Sequence, residues 1–289
     1  MNRSALHRWL PRLFGARGYQ WIQERVRQVN SLSPGHLRRR RQFHRLNRHA
    51  AGTEVVLRPG LVIQLSRASR EDAEWFSFRS AEMAAEFDSF LHETVDRHRL
   101  LDVGAFHALF SLAFARRPDT EAVAIEPSPP AYAVLGDNLR LNPDSRIRAL
   151  EIAAGAAEGS LRMESNWLHL RALAPGMQSS TAVEIPVRRV DDICDSLGFE
   201  PDAIKIDVEG FETDVLAGAQ SVLRRFRPIL FLEVHPPFIA ALGRSLMEVW
   251  VVLNAAGYSV FDRRGRQITR EAFVKLDGFP RLICKPSTT

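Results

Sequence analysis

"RLLDVGAFHALFSLAFARR", residues 99–117, decides the fold. An apolar run ends in Asp102, Gly104 follows, and an apolar helical stretch begins. Strand, tight turn and helix in that order open a nucleotide-cofactor unit of a parallel sheet. A dinucleotide turn carries three glycines, because its backbone must approach a pyrophosphate. This turn has one, and Phe106 and His107 crowd that approach. The next apolar run, "EAVAIEP" (121–127), ends in Glu126, 24 residues beyond Asp102. An acid at the end of the second strand is placed to accept hydrogen bonds from ribose hydroxyls.

Working outward, short apolar runs alternate with helical periods: "IRALEIAAG" (147–155), "DAIKIDVEG" (202–210) and "ILFLEVH" (229–235). Near-continuous apolar strands separated by helices predict a parallel sheet covered on both faces. "YSVFDRRGRQIT" (258–269) and "RLICKP" (281–286) read as a closing antiparallel pair around Arg264-Gly265. Upstream, "TEVVLRPGLVIQLS" (53–66) reads as two strands joined at Pro59-Gly60, and a helical stretch is expected from about Arg70 to Arg97. Residues 160–185, with Trp167 and His169, read as a loop long enough to act as a lid.

Apolar residues make up 45% of the 289 and charged residues 25%, as in ordinary globular proteins. No apolar run approaches the roughly 18 residues that span a bilayer. The N-terminus lacks a continuous apolar h-region, so a cleaved signal peptide is not expected. Cys194 and Cys284 are far apart, which excludes a disulfide framework and a cysteine zinc site and fits a reducing, cytoplasmic setting. The net charge of +5 hides an asymmetry: residues 1–50 hold twelve Arg and one acid, Glu24, so the remainder is mildly acidic. In that arm Trp9, Leu10, Leu13, Phe14, Trp21, Ile22, Val26 and Val29 suit short amphipathic helices, and "HLRRRRQFHR" (36–45) is a basic run. It is expected to be a solvated extension with one face packed on the domain. A weak contact with an anionic membrane surface is the alternative, and no nucleic-acid motif accompanies the charge. The expected organisation is a basic helical extension (1–52), a strand pair and helix (53–98) and the cofactor domain (99–289).

S-adenosylmethionine has adenine and ribose but no phosphate, so a turn with one glycine tolerates it, and its cationic sulfonium suits a turn carrying Asp102. "LLDVGAFHALFSLAFA" (100–115), "AIEPSPPAYAVLGDNLRLN" (124–142), "IPVRRVDDI" (185–193), "PDAIKIDVEGFETDVLAGA" (201–219) and "PILFLEVHP" (228–236) occur in the order seen in FkbM-type S-adenosylmethionine-dependent methyltransferases, which the chain resembles over roughly residues 99–240. The resemblance implies a class I methyltransferase (Rossmann-like) α/β fold with a mostly parallel seven-stranded sheet. It also implies O-methylation of a small-molecule or glycan hydroxyl, on a sugar, glycan or secondary metabolite. The family usually has Asp-x-Gly-Ala-Asn-x-Gly at its first motif. Here Phe106 replaces the Asn and Ala108 the second Gly; the latter is a small change if φ is negative there.

The cofactor-binding candidates are Asp102, Gly104, Ala105, Glu126, Pro127, Ala153 and Asp207. Ala153 and Ala154, after the third strand, leave room for adenine. Asp207 and Glu209 lie two apart at the end of the fourth strand, on one side if that strand continues. His235 follows the fifth strand with Glu233, and an imidazole titrating near pH 7 can take a hydroxyl proton. Asp207, Glu209 and His235 are the catalytic candidates. Asp207, Glu209, Glu233 and His235 have no diagnostic metal-ligand spacing, and no metal is expected from sequence. Lys205 reads as a snorkelling surface residue, Asn138 and Asn142 as closing their helix, and Asp191 and Asp192 as capping the helix "DDICDSLG". The competing readings are a catalytically inactive methyltransferase-fold binding protein, for which Phe106 speaks, and a dinucleotide-dependent oxidoreductase, against which the missing glycines count.

Overall fold

The computed structural model describes residues 34–166, 169–172 and 182–287. The N-terminal part contains helix α1 (Pro34–Leu46), strands β1 (Glu54–Arg58) and β2 (Leu61–Gln64), and helix α2 (Ala81–Glu93). Then come β3 (Arg99–Val103), α3 (Leu109–Phe114), β4 (Glu121–Ile125), α4 (Pro129–Leu141), β5 (Ile147–Leu150), β6 (Ala153–Ala154), β7 (Gly159–Asn166), β8 (His169–Ala172) and β9 (Ala182–Arg188). The last part contains α5 (Val190–Leu197), β10 (Ala203–Ile206), α6 (Glu212–Ala217), α7 (Gln220–Phe226), β11 (Ile229–Glu233), α8 (Pro236–Ala241), α9 (Leu246–Ala255), β12 (Tyr258–Asp262) and β13 (Arg281–Pro286).

Seven strands form the main sheet in the order β12-β13-β11-β10-β3-β4-β5. β4, β3, β10, β11 and β5 pair in parallel, and β13 runs antiparallel to both β11 and β12. One reversed strand inserted beside an otherwise parallel set is the class I methyltransferase arrangement that the family resemblance implies. The chain starts at β3, winds outward to β5, and returns to β10 on the other side. The switch point therefore falls between β3 and β10, and their carboxyl ends open a crevice where ligands bind in such sheets.

Period-two alternation sorts the strand residues between two cores. Leu101, Val103, Ile204 and Ile206 face one core with the residues of α5, α6, α7 and α9. Leu100, Ala203 and Phe231 face the other, with Phe87, Phe90, Phe110 and Phe114. Phe76, Phe87, Phe90 and Phe231 meet Phe110 or Phe90 edge-on or tilted at centroid distances of 5.0–5.3 Å, the geometry aromatic quadrupoles favour. This phenylalanine cluster fastens α2 and the segment before it to the sheet. The basic run 36–45 lies in α1, which buries His36 and Phe43 while Arg38, Arg40 and Arg41 face solvent. Asn47 joins the end of α1 to β1: its amide donates to Val56 O at 2.9 Å and accepts from Val56 N at 2.8 Å.

Several sequence expectations change. The helical stretch from Arg70 breaks at Ser80, whose Oγ accepts from Met83 N and starts α2 afresh. Residues 159–188 contain strands: β7, β8 and β9 join β6 in a second, four-stranded sheet. Asp191 sits inside α5 but caps α7, accepting from Ser221 N and Val222 N at 3.0 and 2.9 Å. Asn142 closes α4, and both asparagines do more. Asn138 accepts from Ser66 N at 2.8 Å and donates to His107 O at 2.9 Å, while Asn142 accepts from Gln64 N at 3.0 Å. They clamp the exit of the hairpin to the turn after β3. The antiparallel pair at the C-terminus is β12 with β13, and Arg264-Gly265 lies in a small turn after β12. Trp9, Leu10, Leu13, Phe14, Trp21, Ile22, Val26, Val29 and Trp167 lie outside the described residues. Among the described residues, no helix is long and apolar enough to cross a membrane.

Candidate active site

The turn after β3 is shaped by its glycine. Gly104 has φ +79°, and a Cβ there would stand 1.9 Å from Asp207 O, so only glycine lets the ends of β3 and β10 meet. Gly104 N and Ala105 N both donate to Ile125 O at 2.9 Å. Phe106 and Ala108 also have positive φ, +50° and +63°. Ala108 is therefore not the small change that a negative φ would have made it; it holds a left-handed conformation that glycine takes without strain. The Phe106 ring stacks on His107 at 3.7 Å. His107 is buried, with Nδ1 2.6 Å from Asp72 Oδ2, and its Nε2 finds no hydrogen-bond partner among the described residues.

Two carboxylates lie below this turn. Asp102 is buried on the α3 side of the sheet; Oδ2 accepts from Ser111 Oγ at 2.7 Å, while Oδ1 has no partner among the described residues. Burial raises its pKa, against the pull of Lys205 and the Ser111 hydroxyl. Glu126 accepts from Phe106 N at 2.7 Å through Oε2 and from Ser128 N at 2.8 Å through Oε1. Burial pushes it up to about 7 despite these two hydrogen bonds. Each of its oxygens retains a second lone pair for an incoming hydroxyl.

A charged cluster fills the other end. Lys205 is not a surface residue: it is buried on the same face as Asp102, its Nζ 3.2 Å from Asp207 Oδ2 and 4.7 Å from the centre of the Phe110 ring. Burial works against its charge, but Asp207, Glu86, Asp102 and Glu233 together raise its pKa. Burial also works against an ionised Asp207, and Lys205, His235 and Arg281 outweigh it and lower its pKa. Glu233 pairs with Arg281 at 2.7 Å, and Arg281 also binds Glu86. Strand β10 ends at Ile206, so alternation does not carry on to Glu209; a left-handed turn at Glu209, φ +52°, brings it round to the same side as Asp207. His235 Nδ1 bonds to the fully buried Glu212 at 2.6 Å. Burial disfavours the imidazolium, but the Glu212 hydrogen bond and the charges of Asp207, Glu212 and Glu209 push His235 up to about 9.

One cavity of about 500 Å³ joins the two ends. Asp102, Gly104, Ala105, Glu126, Pro127 and Ala153 line one part of it, and Asp207, Glu209 and His235 the other. The structure thus brings all the candidate residues together. Phe106 is half-buried in the wall and leaves the cavity open. Sequence reading missed Asp72, Trp75, Phe76 and Met83 as wall residues, and also Lys205, Phe279 and Arg281. For Arg281 a signal existed: "RLICKP" pairs antiparallel with "ILFLE", which sets Arg281 opposite Glu233.

A cavity at the switch point of this strand order defines a class I methyltransferase. A family model for the methyltransferase FkbM domain matches residues 102–260, more than half of the chain. The chain belongs to the FkbM methyltransferase family. It is 29% identical over 195 residues to the 2-O-methyltransferase NoeI of Sinorhizobium fredii, a match covering 59% of this chain and 77% of that one. It is 29% identical over 153 residues to methyltransferase sdnD of Sordaria araneosa, covering 41% of this chain and 59% of the relative. The solved structure of methyltransferase FkbM from Methylobacillus flagellatus KT aligns with a TM-score of 0.44 and 18% identity, over 74% of this chain and 52% of that one.

Proposed function

We propose that the chain is an S-adenosylmethionine-dependent O-methyltransferase acting on a hydroxyl of a sugar, glycan or secondary metabolite. The observation that carries this reading is the single cavity with an acceptor-rich end at Asp102 and Glu126 and a charged end at Asp207, Glu209 and His235. The orphaned Asp102 Oδ1 is a buried acceptor that calls for a donor, and the turn offers no glycine-lined cradle for a pyrophosphate. Asp102, Gly104 and Ala105 would hold the methionine portion, with Asp207 beside them. Glu126 would hold the ribose, and Pro127 and Ala153 the adenine. S-adenosylmethionine supplies, when bound, a methyl group made electrophilic by a sulfonium.

The protein's part is to align and to exclude water. Asp207 or Glu209 accepts the hydrogen bond of the reacting hydroxyl and takes its proton as the oxygen is methylated, and His235, fixed by Glu212, orients the acceptor through Nε2. Correct alignment of reacting groups is worth several kcal/mol in such transfers, so a strong base is not required. Trp75, Phe76, Met83, Phe238 and Phe279 give the acceptor an apolar wall. The name of NoeI, a 2-O-methyltransferase, supports a hydroxyl acceptor. The buried thiols of Cys194 and Cys284 support a cytoplasmic setting, and the exposed arginines of α1 support a weak contact with anionic membrane surfaces.

The test is incubation with methyl-labelled S-adenosylmethionine and a panel of glycans and hydroxylated metabolites. Label is expected in a base-stable ether on an acceptor oxygen. Label on nitrogen or carbon acceptors alone would overturn the O-methyltransferase assignment.

A further inference from the structure

Among the described residues, the charged end of the cavity gathers several carboxylates around a buried histidine. Glu86, Asp207, Glu209, Glu212 and Glu233 stand against Lys205 and Arg281, with His235 among them. Carboxylate oxygens of Asp207, Glu233 and Glu209 lie 3.8, 3.9 and 4.0 Å from His235 Nε2. These separations are too long for hydrogen bonds. One ligand atom each from Asp207, Glu233 and His235 falls within 4.8 Å of the other two. Ligand atoms around one divalent ion, at bond lengths of roughly 2.1–2.3 Å, stand about 3–4.5 Å apart. The three side chains therefore need to close by only a few tenths of an ångström.

A second observation concerns the imidazole rather than the acids. Glu212 is fully buried and lies 2.6 Å from His235 Nδ1. A carboxylate holding the far nitrogen of a histidine fixes the ring and leaves the other nitrogen to a metal, the usual outer partner of a ligating histidine. Nε2 is then aimed at the oxygens of Asp207 and Glu233. Those carboxylates keep capacity for an ion: Asp207 gives Oδ2 to Lys205 and turns Oδ1 to the histidine, while Arg281 takes one lone pair of Glu233 Oε1.

We propose that Asp207, Glu233 and His235 form a divalent-cation site at the acceptor end of the cavity, with Glu209 at its rim. Two carboxylates and one imidazole suit an ion of the Mn²⁺ class, with the remaining positions open to water or an acceptor hydroxyl. The ion would lower the pKa of a coordinated hydroxyl and fix its oxygen, so that His235 would act through the ion and the proton would pass to a neighbouring carboxylate more readily. This use of the ion rests on the O-methyltransferase reading; the binding site itself does not.

Titration of the full chain with Mn²⁺ alone, with no cofactor or acceptor, tests the site by electron paramagnetic resonance. One ion per chain is expected, with nitrogen hyperfine coupling from the imidazole in the pulsed spectrum. His235→Ala and Glu233→Gln are each expected to weaken binding at least tenfold, and His235→Ala to abolish the nitrogen coupling. Glu126→Ala should keep the ion while losing affinity for S-adenosylhomocysteine, which separates this site from the cofactor site. No Mn²⁺ uptake by the folded wild type, uptake without nitrogen coupling, or affinity unchanged in both variants would each overturn the proposal. The wild-type spectrum decides the matter even if a variant does not fold.

Discussion

At Ala108 the chain takes φ +63° with a side chain that is fully buried. A left-handed conformation costs an L residue about 1–2 kcal/mol. Ala108→Gly should recover that strain, less the roughly 0.4–1 kcal/mol by which glycine loosens the unfolded chain. A gain of up to about 1.6 kcal/mol in urea unfolding is expected. A loss instead would show that the methyl group's packing with Ala105, Ala124 and Leu135 outweighs the strain. Glu126 was legible from its distance beyond Asp102, because strand ends in a parallel sheet fall at one level. The conformation at Ala108 was not legible, because alanine ordinarily takes negative φ and nothing in the neighbouring residues signals the left-handed turn. Asp72 was not legible as a site residue, because its place against His107 is fixed by Asn138 and Asn142, far along the chain.

The main-sheet strands were legible as elements because burial on both faces makes them short, continuous apolar runs. The second sheet was not. Leu161 and Met163 in β7, and Val183, Ile185 and Val187 in β9, alternate with period two, yet polar residues between them gave the stretch the look of a loop. Ile185 and Val187 pack with Ala153, and Leu161 and Val183 pack against them, in a small core separate from the main sheet's. Asp191 shows a different limit: an acid in the first turn of a helix reads as that helix's cap, while tertiary packing delivers it to α7. Asp191→Ala should therefore cost about 1–2 kcal/mol and speed hydrogen exchange at the Ser221 and Val222 amides. Faster exchange within α5, with α7 unchanged, would return Asp191 to its own helix.

Over the whole molecule, the end of the cavity proposed for the cofactor comes from residues after 99, while much of the apolar wall comes from before. Trp75, Phe76 and Met83 reach the cavity because α1, the hairpin and the phenylalanine cluster press that segment against the sheet. The sequence after residue 99 carries a repeating strand and helix signal; the wall arises from long-range packing that no local period records. The two ends meet in one ligand only if Glu126 accepts from a ribose. Its raised pKa sets the sign of the pH dependence. With about 7 in the folded chain and 4.5 as its ordinary value, its bound proton favours the fold below pH 4.5, and that contribution is lost as pH rises through 7. On the proposed function cofactor affinity runs the other way, because the ionised form would accept the ribose hydroxyls. Calorimetric titration with S-adenosylhomocysteine at pH 6 and pH 8 is the direct measurement. Binding is expected at both, about tenfold weaker at pH 6, and weakened by about 1.5–3 kcal/mol in Glu126→Ala at pH 8, with NAD not binding. No binding of S-adenosylhomocysteine by the folded chain, or binding of NAD in its place, would contradict the assignment of this cavity.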